Sequence, residues 1–228
     1  MCSIIQTLYA NLLKPKSFAS WAKPKAEDLN VPRKRYLNDN NEVVWNIGTE
    51  KECCADHIEM SGFYSSSILS YGRDKKGRLR LMKHLIVPTL RVQPNVTQSS
   101  FCFNFNFSPA DIKVNHKAVK EYPMEISVKG NLIINSSTDT DVGIIREFLP
   151  AVNQPALIEV INISNNGSDD CNIEICLKPF SKKIPSCLCV DGAITAKCIS
   201  AFDDDFKASS QENRKLILKS KESIKFYC

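Results

Sequence analysis

The sequence predicts an all-β protein, a two-sheet antiparallel β-sandwich of a supersandwich-like type, preceded by a short, partly helical N-terminal arm. Three observations support this prediction. From Cys53 onward apolar and polar side chains alternate with a period of two, the period of a strand with one buried face. β-Prone runs recur about every 8 to 12 residues and are separated by turn residues. No helical pattern intervenes between them, and this succession is typical of a sandwich.

The first 52 residues are predicted to form an arm, and residues 53–228 the sandwich domain. Apolar side chains have a helical spacing over Ile4–Leu13, and Pro15 ends any helix there. The following region is rich in proline and charge, and Glu42–Ile47 is its one predicted strand. This segment is too polar to build a core of its own, so we expect the arm to lie on the main domain.

The main domain is predicted to open with a β-hairpin. Phe63–Tyr71 and Arg78–Val87 are β-prone runs. The polar segment Gly72–Gly77 joins them, and a glycine at each of its ends is expected to supply positive φ. A hairpin of this kind fits the entry into an antiparallel sheet.

Phenylalanines alternate with polar residues in the next predicted strand. This alternation places four aromatic rings on one sheet face, those of Phe101, Phe103, Phe105 and Phe107. Such a face is either a platform for sugar rings or part of the core between two sheets. Because the opposite face is polar and a sandwich buries one face of each sheet, the core is the favoured interpretation.

The second half of the chain carries further strand patterns. Met124, Ile126 and Val128 alternate ahead of a Gly130–Asn131 turn, which predicts another hairpin. Ala156–Ile163 is apolar on both faces and is therefore predicted to lie inside a sheet. Further strands are predicted at Leu132–Asn135, Cys171–Leu177, Leu188–Val190, Ala193–Ile199, Lys215–Leu218 and Ser223–Tyr227, the last two as a pair.

Composition and charge argue against several classes of protein. The chain has 30 basic and 25 acidic residues, a formal net charge of +5, and its basic residues are scattered in a way that fits a solvated surface rather than a nucleic-acid site. No apolar run approaches the roughly 20 residues of a membrane-spanning helix. The N-terminal apolar run is interrupted by polar residues and precedes its lysines, unlike a secretory signal. We therefore expect a cytoplasmic protein that binds neither nucleic acid nor membrane.

Ten cysteines leave three alternatives: a disulfide framework, a metal site, or reduced thiols in the core. Cys171 shares a predicted strand face with Ile173 and Ile175, which favours a buried thiol. The spacings of Cys53–Cys54 and Cys187–Cys189 do not match the paired C-x-x-C elements of structural zinc sites. We expect mostly free thiols, no metal and no cofactor.

Two blocks of short motifs stand out. The first consists of His57–Gly62, Tyr71–Gly72, Asp74 with Gly77, and Pro88–Arg91. The second consists of Arg146–Pro150, Gln154–Val160 and Asn162–Asn165. Together the two blocks span residues 57–177, and they resemble the N-terminal β-sandwich of bacterial six-hairpin glycosidase-like proteins. One departure is Leu149, which separates the phenylalanine and proline that the family pattern places side by side.

The resemblance implies a non-catalytic domain associated with a glycoside hydrolase. In that family the chemistry belongs to a helical (α/α) barrel, and the sandwich packs against the barrel and shapes a carbohydrate cleft. The resemblance therefore also implies a docking surface, which we place near His57, Glu59 and Arg91. Without the barrel, such a surface favours self-association.

Two alternatives stay open. One is a stand-alone carbohydrate-binding module in which exposed Trp45, Tyr64 or Tyr122 stacks on sugar rings. The other is a small hydrolase with an unrecognised site, which would need two carboxylates held across a sugar bond. His57 and Glu59 share a predicted strand face, but no third partner is identifiable. The sequence therefore assigns no catalytic residue.

Overall fold

The computed structural model describes residues 35–91, 100–105, 107–185, 193–202 and 213–228. The predicted helix Ile4–Leu13 and the predicted strand Leu188–Val190 lie outside these ranges. Within them the chain forms 18 strands and one short 3-10 helix, Ile47–Thr49, and no α-helix. The prediction of an all-β antiparallel sandwich is confirmed. No helix in the described ranges is long and apolar enough to cross a membrane.

The strands follow one another with short connections. The first nine are β1 Arg35–Leu37, β2 Val43–Trp45, β3 Cys54–Ser61, β4 Ser66–Arg73, β5 Leu79–Arg91, β6 Ser100–Asn104, β7 Ala110–Val114, β8 Lys117–Ala118 and β9 Glu121–Val128. The next nine are β10 Leu132–Thr138, β11 Val142–Pro150, β12 Leu157–Asn165, β13 Cys171–Leu177, β14 Phe180–Pro185, β15 Ala193–Cys198, β16 Ala201–Phe202, β17 Asn213–Leu218 and β18 Ser223–Tyr227.

Three sheets and a separate hairpin organise these strands. The large sheet has eight strands in the order β1-β2-β9-β10-β11-β12-β18-β16. Two four-stranded sheets have the orders β3-β4-β5-β6 and β17-β13-β7-β8, and β14 pairs only with β15. One layer of the sandwich is therefore divided into two smaller sheets.

One face of the large sheet is shared between two cores. The first core joins it to the β3-β4-β5-β6 sheet through Trp45, Ile47, Met60, Leu69, Tyr71, Ile126, Leu132, Ile134 and Phe148. The second core joins it to the β17-β13-β7-β8 sheet and includes Val142, Ile144, Ile161, Ile163, Ile173, Ile175, Leu177, Leu218 and Phe226. Strand β11 contributes to both cores from one face, because Ile144 and Phe148 are an even number of residues apart.

The predicted opening hairpin is present as β4 and β5. Its turn is closed by a hydrogen bond from the Gly77 amide to the Asp74 carbonyl, 2.9 Å long. Gly77 has φ of +77° and supplies the expected left-handed conformation. The same expectation for Gly72 is wrong: Gly72 lies inside β4, where a side chain would collide with the Cys54 carbonyl of the neighbouring strand. Gly72 serves close packing of two strands rather than the turn.

The hairpin predicted around Gly130 is also present, as β9 and β10, but its outer part contains a β-bulge. Glu125 pairs with Asn135, whereas Pro123 pairs with Ser136, so Met124 is the extra residue on β9. An extra residue reverses the in-out alternation beyond it. Met124 is accordingly half exposed, and its predicted place on the inner face with Ile126 is wrong.

Two predictions for the last strands have opposite outcomes. Cys171–Leu177 forms β13 with the expected alternation, and Cys171 is buried in the second core. The predicted pairing of Lys215–Leu218 with Ser223–Tyr227 is wrong. β17 pairs with β13 in a small sheet, and β18 pairs with β12 in the large one. The tight turn between them carries the chain from one layer of the sandwich to the other.

The described part of the predicted arm is built into the large sheet. β1 and β2 form a hairpin whose second strand pairs with β9 through Val43 and Val128. Trp45 and the adjoining Ile47 are 3% and 0% exposed and belong to the first core. The division of the chain at residue 52 stays a prediction, but the end of the arm contributes directly to the core of the main domain.

Candidate functional site

The predicted phenylalanine stripe forms an aromatic cluster with a fifth ring. The ring centroids of Phe103 and Phe105 are 4.4 Å apart, and those of Phe105 and Phe107 are 6.1 Å apart. Phe180 of β14 lies 5.0 Å from Phe107. Only Phe101 is buried, and the other four rings are half-buried. The sequence predicted that the whole stripe is buried in the core between two sheets. This prediction is wrong for Phe103, Phe105 and Phe107, which are half-buried and border a cavity.

This cavity, which we call the phenylalanine cavity, has a volume of about 390 Å³. It lies between the inner face of β5 and β6, the connection from β11 to β12, and strand β15. Its apolar lining includes Leu85, Val87, Leu90, Phe101, Phe103, Phe105, Phe107, Pro155, Leu157, Ile194 and Ala196. The volume falls in the range of about 300 to 1,000 Å³ that is common for small-molecule sites, and predominantly apolar walls are usual in such sites.

A buried network of charges forms the polar part of the cavity wall. Lys83 Nζ donates to Glu159 Oε2 at 2.7 Å, and Arg146 Nη1 donates to Glu159 Oε1 at 2.6 Å. Arg146 also holds Glu121 with two hydrogen bonds, one of them from Nε to Oε2 at 2.9 Å. Lys83 and Glu159 line the cavity itself. We call these four side chains the buried ion network.

The sheet register explains why the network is buried. Arg146 lies between Ile144 and Phe148 on the inner face of β11, at the boundary between the two cores. Glu159 likewise lies on the inner face of β12, two residues before the buried Ile161. Arg146 and Glu159 are 5% and 3% exposed. A charge at such a position is tolerated only when partners neutralise it and satisfy its hydrogen bonds.

The surroundings fix the protonation of these groups. Burial opposes ionisation of Glu159, but the charges and hydrogen bonds of Lys83 and Arg146 outweigh it and hold the pKa of Glu159 below its usual range. Burial also acts against the charge of Arg146, and the two carboxylates overcome it, so the pKa of Arg146 is raised. Arg146 and Glu159 are therefore both charged near neutral pH. The formal charges of the four side chains, two basic and two acidic, balance.

Two thiols complete the cavity wall. Cys198 and Cys228 both line the cavity, and the Ser200 hydroxyl donates to Cys228 Sγ at 3.2 Å. Burial raises the pKa of Cys228 to about 12 and also raises that of Cys198. Both thiols are therefore neutral near pH 7 and are poor nucleophiles there. The seven cysteines in the described ranges all carry free thiols, as expected.

We expect protein stability to fall in acid because of Glu159. Its folded-state pKa lies below the unfolded value, so the ionised carboxylate contributes stability above about pH 4.5, and this contribution is lost as the pH falls through the folded pKa. Denaturant unfolding of the wild type and of Glu159→Gln between about pH 7 and about pH 3 measures the effect. The stability difference between the two proteins should shrink toward acid. A difference that stays constant would contradict the assignment.

Two of the predicted docking residues, His57 and Glu59, do not line the cavity. His57 and Glu59 are exposed on the outer face of β3, and their shared strand face is confirmed by the register with β4. Arg91 ends β5, beyond the part of that strand in register with β4. The structure does not place the two β3 side chains at the buried ion network. A docking surface at this place stays a prediction.

The three aromatic residues predicted to stack on sugars have different surroundings. Trp45 is buried in the first core, so its expected exposure is wrong; its ring nitrogen donates to Glu50 Oε1 at 3.2 Å. Tyr64 is 52% exposed in the turn between β3 and β4. Tyr122 is half-buried on β9. The described fold therefore does not assemble these three side chains into one aromatic surface.

Sequence reasoning identified the phenylalanine stripe but missed the buried ion network and Phe180. Arg146 and Glu159 are visible as single charges at inward positions of otherwise apolar strands, and this pattern was the available indication of a buried pair. Lys83 is likewise a single charge at an inward position of β5. Phe180 carried no local indication, because its contact with the stripe depends on where the β14–β15 hairpin lies. The network joins residues distant in sequence, and periodicity within one strand does not predict such pairings.

The two carboxylates of the buried ion network are held as partners of Arg146. Glu121 and Glu159 both accept hydrogen bonds from Arg146. The pKa of Glu159 is lowered rather than raised, so Glu159 is not tuned as a proton donor. Among the residues that the structure describes, no three His, Cys, Asp or Glu side chains converge in a way that could hold a metal ion. No protein-family model matches the chain, and no curated protein matches it.

Proposed function

We propose that the protein is a non-catalytic β-sandwich module that binds a small apolar ligand in the phenylalanine cavity. The observation that carries the proposal is the cavity itself, about 390 Å³ in volume and walled mainly by aromatic and aliphatic side chains. Burial of apolar surface there supplies about 25 cal/mol for each Å² removed from water. The half-buried rings of the aromatic cluster are the surface that a ligand would cover.

The composition of the wall favours an apolar ligand over a sugar. Sugar sites combine an aromatic platform with many hydrogen-bonding groups for the hydroxyls. Here the rings are phenylalanines, which have no polar atom, and both carboxylate oxygens of Glu159 are used within the buried ion network. A sugar would therefore leave several hydroxyls without partners, at a cost in free energy.

Attachment to a helical glycosidase-like domain is a separate proposal, and it is carried by the sequence resemblance. Exposed apolar residues at one end of the sandwich are compatible with it: Phe63 is 80% and Val152 is 57% exposed. The Phe63 amide donates to the Val152 carbonyl at 3.1 Å, so the two turns that carry these residues are joined. Phe63 follows β3, the strand that carries the predicted docking residues His57 and Glu59.

We expect a neutral fluorescent probe, 1-N-phenylnaphthylamine, to bind the protein with one-to-one stoichiometry. Replacing Ala196 with Trp fills the cavity and should weaken binding about ten-fold or more, equivalent to about 1.4 kcal/mol. Ser181→Trp is the matched control, because Ser181 is exposed on the partner strand of the same hairpin. The probe's fluorescence on titration measures both affinities.

Two results would overturn the proposal. One is the absence of saturable binding to the wild type. The other is equal affinity of the Ala196→Trp and wild-type proteins, since the ligand would then occupy another place. Saturable binding of oligosaccharides without binding of the apolar probe would favour the carbohydrate-binding module instead. Thermal unfolding of both variants establishes that they are folded at the temperature of the titration.

A further inference from the structure

Lys83 has more hydrogen-bond donors than the described residues use. An ammonium group has three donors, and Nζ of Lys83 donates to Glu159 Oε2. Among the described residues Nζ has no second acceptor within hydrogen-bond distance. The side chain of Lys83 is only 10% exposed and forms part of the cavity wall. A buried ammonium that is incompletely satisfied is costly, and an acceptor atom on a bound ligand would offset that cost.

The charge of the buried ion network restricts what this acceptor can be. Lys83 and Arg146 balance Glu121 and Glu159, so the four side chains have no net charge. A ligand carboxylate would place an additional negative charge close to Glu159 in a poorly screened site, and a ligand ammonium would face Lys83. A neutral oxygen accepts a hydrogen bond from Nζ without adding charge. Lys197, the other lysine in the lining, is exposed, and its charge is largely screened by water.

We infer that the ligand of the phenylalanine cavity is a neutral amphiphile, an apolar chain or ring system that carries one uncharged oxygen acceptor. A hydroxyl, ketone or ester oxygen accepts a hydrogen bond from Lys83 Nζ, and the apolar part covers the aromatic cluster. This inference rests on the proposed function, because it specifies the class of ligand for the same cavity. It assigns Lys83 as the residue that determines specificity for the head group.

The test is a calorimetric titration of the wild-type protein with dodecan-1-ol, dodecanoate and dodecylamine at concentrations below those at which they form micelles. The three probes share an unbranched apolar chain and differ in the head group, which is a neutral hydroxyl, a carboxylate or an ammonium. We expect dodecan-1-ol to bind about ten-fold or more tightly than either charged probe. Binding of dodecanoate or dodecylamine with equal or higher affinity would overturn the inference and leave cavity binding intact. If no probe binds, the proposed function itself fails.

Variants test whether Lys83 is the residue that binds the oxygen of the ligand. Lys83→Met should weaken binding of dodecan-1-ol about ten-fold, because the donor to the ligand oxygen is lost. Because this change leaves Glu159 with one partner fewer, the double variant Lys83→Met/Glu159→Met provides a charge-balanced version in which Arg146 still pairs with Glu121. Lys182→Met is the matched control at an exposed position of β14 outside the cavity lining and should bind all three probes as the wild type does. Unchanged affinity for dodecan-1-ol in both Lys83 variants would overturn the role of Lys83.

Discussion

Replacing Arg146 with Met is expected to lower the free energy of unfolding by about 3 to 5 kcal/mol, the usual cost of removing one partner from a buried ion pair. Arg146 is the only group that holds both Glu121 and Glu159 within the described network. Its loss leaves Glu121 without its cation and Glu159 with Lys83 alone. The methionine fills part of the space but neutralises neither carboxylate.

Urea unfolding near neutral pH, analysed by linear extrapolation, measures this loss. The matched control is Lys178→Met, which removes an exposed ion pair between Lys178 Nζ and Asp111 Oδ1, 2.6 Å apart. Exposed pairs of this kind contribute about 1 kcal/mol or less. If Arg146→Met were no more destabilising than the control, the network would not be a buried, mutually dependent unit.

Replacing Phe148 with Ala is expected to cost about 3 to 5 kcal/mol, whereas Phe103→Ala should cost about 1 to 2 kcal/mol. Both residues are phenylalanines on inward faces of strands. Phe148 is 0% exposed in the first core, and its removal leaves a hole that the surrounding side chains cannot fill. Phe103 already borders the phenylalanine cavity, so truncating its ring enlarges an existing space.

The same denaturant measurements compare the two variants. The decisive quantity is the difference between the two losses in the free energy of unfolding. Effects on the unfolded state that are common to both Phe→Ala changes cancel in this difference. Equal losses would mean that Phe103 is enclosed in a well-packed core. In that case the cavity would not be a site, and the proposed function would lose its structural basis.

Much of the architecture was accessible from the sequence because strand periodicity is a local property. The alternation in Cys171–Leu177 predicted β13 and its buried face, and Gly77 marked the turn between β4 and β5. Local patterns do not determine which strands pair. β17 and β18 are adjacent in sequence but belong to different sheets, since each completes a different core.

The candidate site was less accessible for a related reason. The buried ion network requires Lys83 on β5 to meet Glu159 on β12, across two layers of the sandwich. The sequence shows each charge within an apolar strand, but it does not show that the two charges neutralise each other. The exposure of an aromatic ring is likewise decided by pairing: Trp45 is buried because β2 joins β9 at the large sheet.

The pairing of distant strands has a consequence for how the chain folds. Val43 on β2 pairs with Val128 on β9, and Val160 on β12 pairs with Tyr227 on β18. Topologies dominated by such non-local contacts fold slowly, because the entropy of closing long loops is lost before the contacts form. During synthesis, the second core lacks Phe226 until nearly the whole described sequence has emerged. Until then the edge of β12 that β18 will occupy is open to pairing with other chains, and folding and aggregation compete for the same strand edge.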